Sequence, residues 1–160
     1  MTELDNAKNC CQKWKDTYMK CLKQMKGKKT WTYDIDSIFA QVEAFIERCN
    51  NLREICDSQI QFSLIDKKQP FFSGNKANEI LQVIQEIKDN FLKYMNSLSN
   101  AGLSESLDIK SNSWHDNFNT FKIGMKNLDN MYINLLNFAF DNVHQIETAI
   151  EYMLTFKYLS

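Results

Sequence analysis

The residues most able to do chemistry are few and scattered. Gly27-Lys28-Lys29-Thr30 has the tail of a phosphate-binding loop. Such a loop needs a first glycine five positions before the second, so that backbone amides cradle phosphate, and then Lys followed by Ser or Thr. Here that first position is Leu22, Lys29 stands where the hydroxyl is required, and no strand-like segment precedes it. Nucleotide binding is therefore not expected. His115 and His144 are the only histidines. Catalysis at either would need a nucleophile or carboxylate converging from another helix, so both read as surface or boundary residues. Asp34 and Asp36 are paired carboxylates in sequence, yet residues two apart in a helical turn do not face each other. Arg48 and Arg53 are the only arginines, and read as a structural ion pair or a partner contact rather than an anion-binding catalyst.

The five cysteines are Cys10, Cys11, Cys21, Cys49 and Cys56. No CxxC occurs, and the histidines lie far from them, so a zinc site lacks ligands at short spacing. Cys49 and Cys56 would stand about 10 Å apart along one helix, beyond disulfide reach. Buried reduced thiols are the expectation, with a thiol redox or metal role for Cys10 and Cys11 as the competing one. No cofactor and no catalytic residue is expected.

Chemistry being absent, the pattern of elements carries the reading. The chain has 160 residues, 4 Gly and 1 Pro, which suits long helices and not a turn-rich β fold. Its 44% hydrophobic content separates it from disordered chains. No apolar run approaches the ~20 residues that span a bilayer, and the polar start MTELDNAKNCC lacks a secretory apolar region. A soluble intracellular protein with neither membrane nor nucleic acid as partner is expected. Eight lysines give residues 1–32 a charge of +5, against -6 for the remainder. Without interleaved aromatic and glycine signals, that charge reads as a solvated helix face and basic linker.

Four helices are expected. The first covers about 3–26, with Trp14, Tyr18, Cys21, Leu22 and Met25 on one face. Its apolar-poor upstream half suggests an element that waits for a partner. The second runs over about 35–64: Ile38, Val42, Phe45, Cys49, Leu52 and Cys56 step 4, 3, 4, 3, 4, with Phe39 and Ile46 beside them. Asp34 is its N-cap, and Tyr33 with Ile38 its hydrophobic staple. Pro70 and Gly74 break the chain, with Phe71 and Phe72 tucking that loop back. A third helix, about 76–98, carries Ile80, Ile84, Ile87, Phe91, Met95 and Leu98. The fourth, capped at Ser113 and Asp116, is read as one continuous helix of about 40 residues. Its stripe runs Trp114, Phe118, Phe121, Met125, Leu128, Tyr132, Leu135, Ala139, Val143, Ile146, Ile150 and Met153. The doubled four-residue step from Ala139 to Val143 reads as a stutter, and Gly124 as a weak point marking a close contact. The expected fold is all-α: an elongated antiparallel bundle of three long helices plus an N-terminal helix, divided as 1–32 (basic helix and linker) and 33–160 (bundle). Helical signal persists to Ser160, so the chain reads as a fragment.

Specific residue order goes further than periodicity. Trp31, Asp34, Ile38, Phe39, Phe45, Arg48, Leu52 and Ile55, then Phe72 and Gly74, then Phe118, Phe121, Lys126, Leu128, Asp129, Phe140 and Asp141 fall in the order found in one family. Over about residues 14–156 the chain resembles the N-terminal tail region of dynein heavy chains, nearer axonemal than cytoplasmic ones, with an outer-arm chain expected. It departs at Ser73-Gly74-Asn75-Lys76-Ala77, where the family often has Gly-Gly-x-Arg-Gly. The resemblance implies a non-catalytic tail segment at the ciliary axoneme, with the ATP-driven motor elsewhere on the heavy chain. Implied partners are other dynein heavy chains, intermediate chains with β-propellers, and light chains. The family-motif core would be Trp31, Ile38, Phe39, Phe45, Arg48, Leu52, Phe118, Phe121, Leu128 and Phe140. Trp14, Tyr18 and Met25 are the candidate partner-binding residues. An independent coiled-coil adaptor outside the motor family is the alternative.

Overall fold

A computed structural model describes residues 2–25, 34–66, 70–100, 106–141 and 143–159. Among them the secondary structure is entirely helical: α1 (Thr2–Gln24), α2 (Ile35–Asp66), α3 (Ala77–Asn100), α4 (Asn112–Phe140) and α5 (Ile146–Leu159). The all-α expectation holds, and the residues group into two compact units. Trp31, the Tyr33 staple and the Gly27–Thr30 break lie outside the described residues.

The first unit falls within Met1–Ser58 and Ser104–Asn112. It is an α1–α2 hairpin with the turn that ends at Asn112. Asp34 begins α2 as expected: its Oδ1 accepts from the Ser37 amide in a long bond of 3.4 Å, which engages one of the amide donors left open at a helix start. The α2 stripe turns inward, with Cys49 and Ile55 buried and Ile38, Val42, Phe45 and Leu52 half-buried. By contrast α1 buries no residue at all. Its covered face is not the one its aromatics suggest. Leu4, Lys8, Cys11, Lys15, Tyr18 and Leu22, stepping 4, 3, 4, 3, 4, are half-buried, whereas Trp14, Cys21 and Met25 are exposed. Two seam places are thus taken by lysines, whose aliphatic stems cover apolar surface while the ammonium groups reach out.

The second unit falls within Gln59–Leu103 and Ser113–Ser160. Its core joins Phe72, Ile80, Ile84, Leu135, Ala139, Tyr152 and Phe156. The α3 stripe is as expected, with Ile80, Ile84, Phe91 and Leu98 buried. On α4 the buried row is Trp114, Phe118, Phe121, Gly124, Leu128, Leu135 and Ala139. Gly124 is there because nothing larger fits: a Cβ built on it would lie 2.8 Å from the Tyr94 ring. Phe62 stacks on Phe91 at 3.9 Å between ring centres.

Three expectations are corrected here. The single fourth helix is two helices, because Val143 N–H bonds back to the Phe140 carbonyl in a turn and the helical ladder resumes with Ala149 on Gln145. Polar Asp141, Asn142, His144 and Gln145 favour that break, since Asp and Asn side chains compete for backbone groups. The break resets the rotation, so Ile146, Ile150 and Met153 are exposed and Tyr152 and Phe156 are buried instead. The cap is also displaced: α4 starts at Asn112, which puts Ser113 inside its first turn. Finally, only Phe72 tucks the 70–76 loop back, while Phe71 stays 74% exposed.

Candidate partner-binding surface

In the first unit the antiparallel register of α1 on α2 is set by three polar pairs. Arg53 Nη1 donates to Asp5 Oδ1 at 2.7 Å, Lys8 Nζ donates to Asn50 Oδ1 at 3.2 Å, and Lys15 pairs with Glu43. As α1 numbering rises, α2 numbering falls by equal steps, the signature of two antiparallel helices in one register. Beside them sits an aromatic cluster. Trp14 stacks on Tyr18 at 6.1 Å, and both meet the Phe39 ring edge-on, at 5.9 Å and 5.5 Å. Lys15 also stands over Phe39 at 5.6 Å. The structure therefore brings together two of the three proposed partner-binding residues, Trp14 and Tyr18, and joins them to a family-motif residue, Phe39. Met25 lies beyond α1 and is exposed. Outward here are an edge of Trp14 at 39% exposure and Met19 at 40% on α1, and Met25 at 45% just past its end. Met19 was not singled out from the sequence, since it stands off the row of Trp14, Tyr18 and Leu22.

Arg48 is a buried structural anchor. Its Nη1 donates to the Ser106 carbonyl at 2.8 Å, tying α2 to the turn that carries Asp108. Burial lowers its pKa from the ordinary arginine value, with Asp108 and Glu47 acting in the opposite direction. That turn is itself closed by Asp108, which accepts from the amides of Lys110 through Oδ1 and of Ser111 through its carbonyl. Arg53 takes the exposed pair with Asp5 and a looser one with Asp57 at 3.8 Å. Cys49 beside Lys8 and Cys11 has its thiol pKa pushed up, chiefly by burial.

The remaining motif residues are packing elements of the second unit. Phe118 and Phe121 are buried and offset-stacked in a ladder begun by Trp114. Leu128 is buried, and Phe140 leans on Tyr152 and Phe156. Both histidines are exposed, and among the described residues no three His, Cys, Asp or Glu side chains gather as a metal site. No helix among them is long and apolar enough to cross a membrane.

Comparison with known proteins meets this geometry. The family described as dynein heavy chain, N-terminal region 1, matches residues 1–160. The chain is 36% identical over 143 residues to the dynein-1-beta heavy chain of the flagellar inner arm I1 complex of Chlamydomonas reinhardtii, covering 88% of this chain and 3% of that one. It is 34% identical over 119 residues to dynein axonemal heavy chain 2 of Homo sapiens, covering 71% and 3%. Against the dynein beta chain of the flagellar outer arm of Chlamydomonas reinhardtii, identity is 20% over 127 residues, covering 79% and 3%. The chain thus spans about 3% of the length of these relatives. No solved structure matches it. With the whole of its length matched, the chain belongs to the dynein heavy chain family, as part of the N-terminal region.

Proposed function

We propose that this chain is a non-catalytic segment of an axonemal dynein heavy-chain tail, of the inner-arm and not the outer-arm kind. The observation that carries the reading is the full-length match to the N-terminal region. The 36% identity to an inner-arm chain against 20% to an outer-arm one supports the inner arm over the outer arm expected from the resemblance. Family membership sets aside the adaptor outside the motor family. On this reading the segment scaffolds heavy-chain association. It docks intermediate chains with β-propellers and light chains, and works in the cytoskeleton of the ciliary axoneme during microtubule-based motility. ATP hydrolysis belongs to another part of the parent chain. Two structural features support a docking role. Trp14 and Met19 on α1 and Met25 just past it are exposed, and α1 is attached without one buried residue, so its apolar side chains are shared between fold and solvent. Deleting residues 1–160 from the parent heavy chain should leave basal ATP hydrolysis intact and abolish co-purification of intermediate chains. Full recovery of every partner by the deletion variant overturns the reading.

A further inference from the structure

All five cysteines are free, and two of them meet across the α1–α2 seam. Cys11 is half-buried in the inner row of α1, and Cys49 on α2 is 2% exposed. The pairs Asp5–Arg53, Lys8–Asn50 and Lys15–Glu43 fix the register between the two helices. Extended to Cys11, that register sets it level with Glu47, so Cys49 lies two residues, about 3 Å, along α2. The Lys8–Asn50 bond of 3.2 Å runs alongside: Lys8 stands one turn before Cys11, and Asn50 directly follows Cys49. Cys11 and Lys8 both act electrostatically on the Cys49 thiol, as close neighbours do. Packed helices have axes about 8–10 Å apart and Cα atoms about 2.3 Å from each axis, which brings facing Cα atoms within about 4–6 Å. With the offset along α2 added, the pair stays within the roughly 7 Å that a disulfide spans. Cys10 is exposed and turned about 100° away from Cys11, and Cys56 lies about two turns beyond Cys49, so neither competes for this place.

Helix α1 buries no residue and is held by exposed polar pairs, so it lifts from α2 more readily than a core helix opens. Lifting uncovers both thiols. We propose that Cys11 and Cys49 form a reversible thiol–disulfide site whose substrate is a low-molecular-weight disulfide such as oxidised glutathione. The Cys11 thiolate, on the more exposed residue of the two, attacks one sulfur of that disulfide. A mixed disulfide forms at Cys11, and the first small thiol leaves. The Cys49 thiolate then attacks the Cys11 sulfur, and the second small thiol leaves. Each departing thiolate takes up the proton released by the attacking cysteine. One small disulfide is thereby reduced to two thiols, and the two cysteines are oxidised to one bridge. The bridge ties α1 to α2 covalently and removes conformational freedom from the opened hairpin. A small thiol in excess reverses both steps by the same exchange.

The test uses the full-length protein with its partners. After native incubation with oxidised glutathione, alkylation of the remaining thiols and tryptic digestion, residues 9–13 should be recovered joined to residues 49–53, lighter than the separate peptides by the two thiol hydrogens. Residues 9–13 carry both Cys10 and Cys11, so substitution decides between them. Cys11→Ser should abolish the joined peptide, and Cys10→Ser should leave it. In the unchanged protein, oxidation should slow amide exchange across α1 by at least about tenfold, and dithiothreitol should restore the original rate. A bridge through Cys10, Cys21 or Cys56, glutathione left on single cysteines, or no reaction overturns the proposal. So does a joined peptide without slower exchange in α1. Loss of intermediate chains on deletion of residues 1–160 tests the scaffold reading separately.

Discussion

The two units use the same 4-3 helical spacing to opposite ends. In the second, the spacing delivers side chains to a closed core: Ile80 is 0% exposed and Leu135 2%. In the first, the 4-3 row of α1 contains two lysines and buries nothing, so α1 is held by exposed polar pairs and one aromatic cluster. Full burial of a Leu or Ile side chain is worth about 1.5–3 kcal/mol, whereas exposed ion pairs contribute about 0.2–1 kcal/mol each. The spacing of a stripe thus says which residues share a side, and the chemistry of those residues says how tightly that side is held.

The largest expected effect tests that difference directly. Leu135→Ala should destabilise the second unit by about 2–5 kcal/mol, since a cavity is added to the lost burial. Half-buried Leu22→Ala on α1 should cost about 1 kcal/mol or less. Urea titration followed by amide exchange in each helix reads both, and equal costs would place α1 in a true core. Next is Gly124→Ala. Alanine favours a helix by up to about 1 kcal/mol, but its methyl meets the face of the Tyr94 ring at 2.8 Å, not a flexible chain end. A net loss of about 1–2 kcal/mol is expected, and Tyr94→Ala in the same chain should recover part of it. Absence of coupling between the two substitutions would mean the helices adjust freely there.

Smaller is Trp14→Ala. Losing its stack on Tyr18 and its edge contact with Phe39 should release α1 by about 1 kcal/mol, seen as faster exchange of α1 amides. Amides of α4 should be unchanged, and a matching change there would contradict the division into a firm and a lightly attached region. The smallest effect is alkaline. Burial raises Cys49 above its ordinary 9.0 and Tyr152 above 10.0. The folded state then holds each proton more tightly than the unfolded chain does. The associated stability is full below the ordinary value and is lost as pH rises through the raised one. The first unit should begin to weaken just above pH 9 and the second only above 10. Cys49→Ala should remove the earlier step, and protection that stays flat across that window in the unchanged protein would refute it.

Much of the architecture was legible in the chain itself. Asp34 as a cap, Pro70 and Gly74 as a break, and the α3 row from Ile80 to Leu98 are all local signals, and local signals survive folding. Gly74 indeed adopts a positive φ of 91°. The candidate surface was less legible. Trp14 and Tyr18 read from the sequence as candidate partner-binding residues, and only the folded hairpin shows them engaged with Phe39. Lys8 and Lys15 read as solvated charges in the sequence, because type alone does not reveal that a lysine stem can fill a seam. Arg48 reads from the sequence as an ion pair or partner contact; in the fold its Nη1 also donates to a backbone carbonyl 58 residues on, which no helical period encodes.

By itself the sequence determined the helical class, most helix starts, the two firm stripes of α3 and α4, and the order of residues that marks the dynein heavy-chain tail. These follow from backbone propensity, capping and residue identity, which act within a few positions. Tertiary structure decided the rotation of α5, beyond a break after Phe140 that the local polar residues favour. The apolar rhythm runs straight through that point, so periodicity favoured one helix with Ile146, Ile150 and Met153 inside. The fold instead buries Tyr152 and Phe156 against Phe72 and satisfies Ser73 and Phe71 with α5 side chains. Two buried aromatics and three loop hydrogen bonds outweigh a continued stripe, and that competition is between residues nearly eighty positions apart.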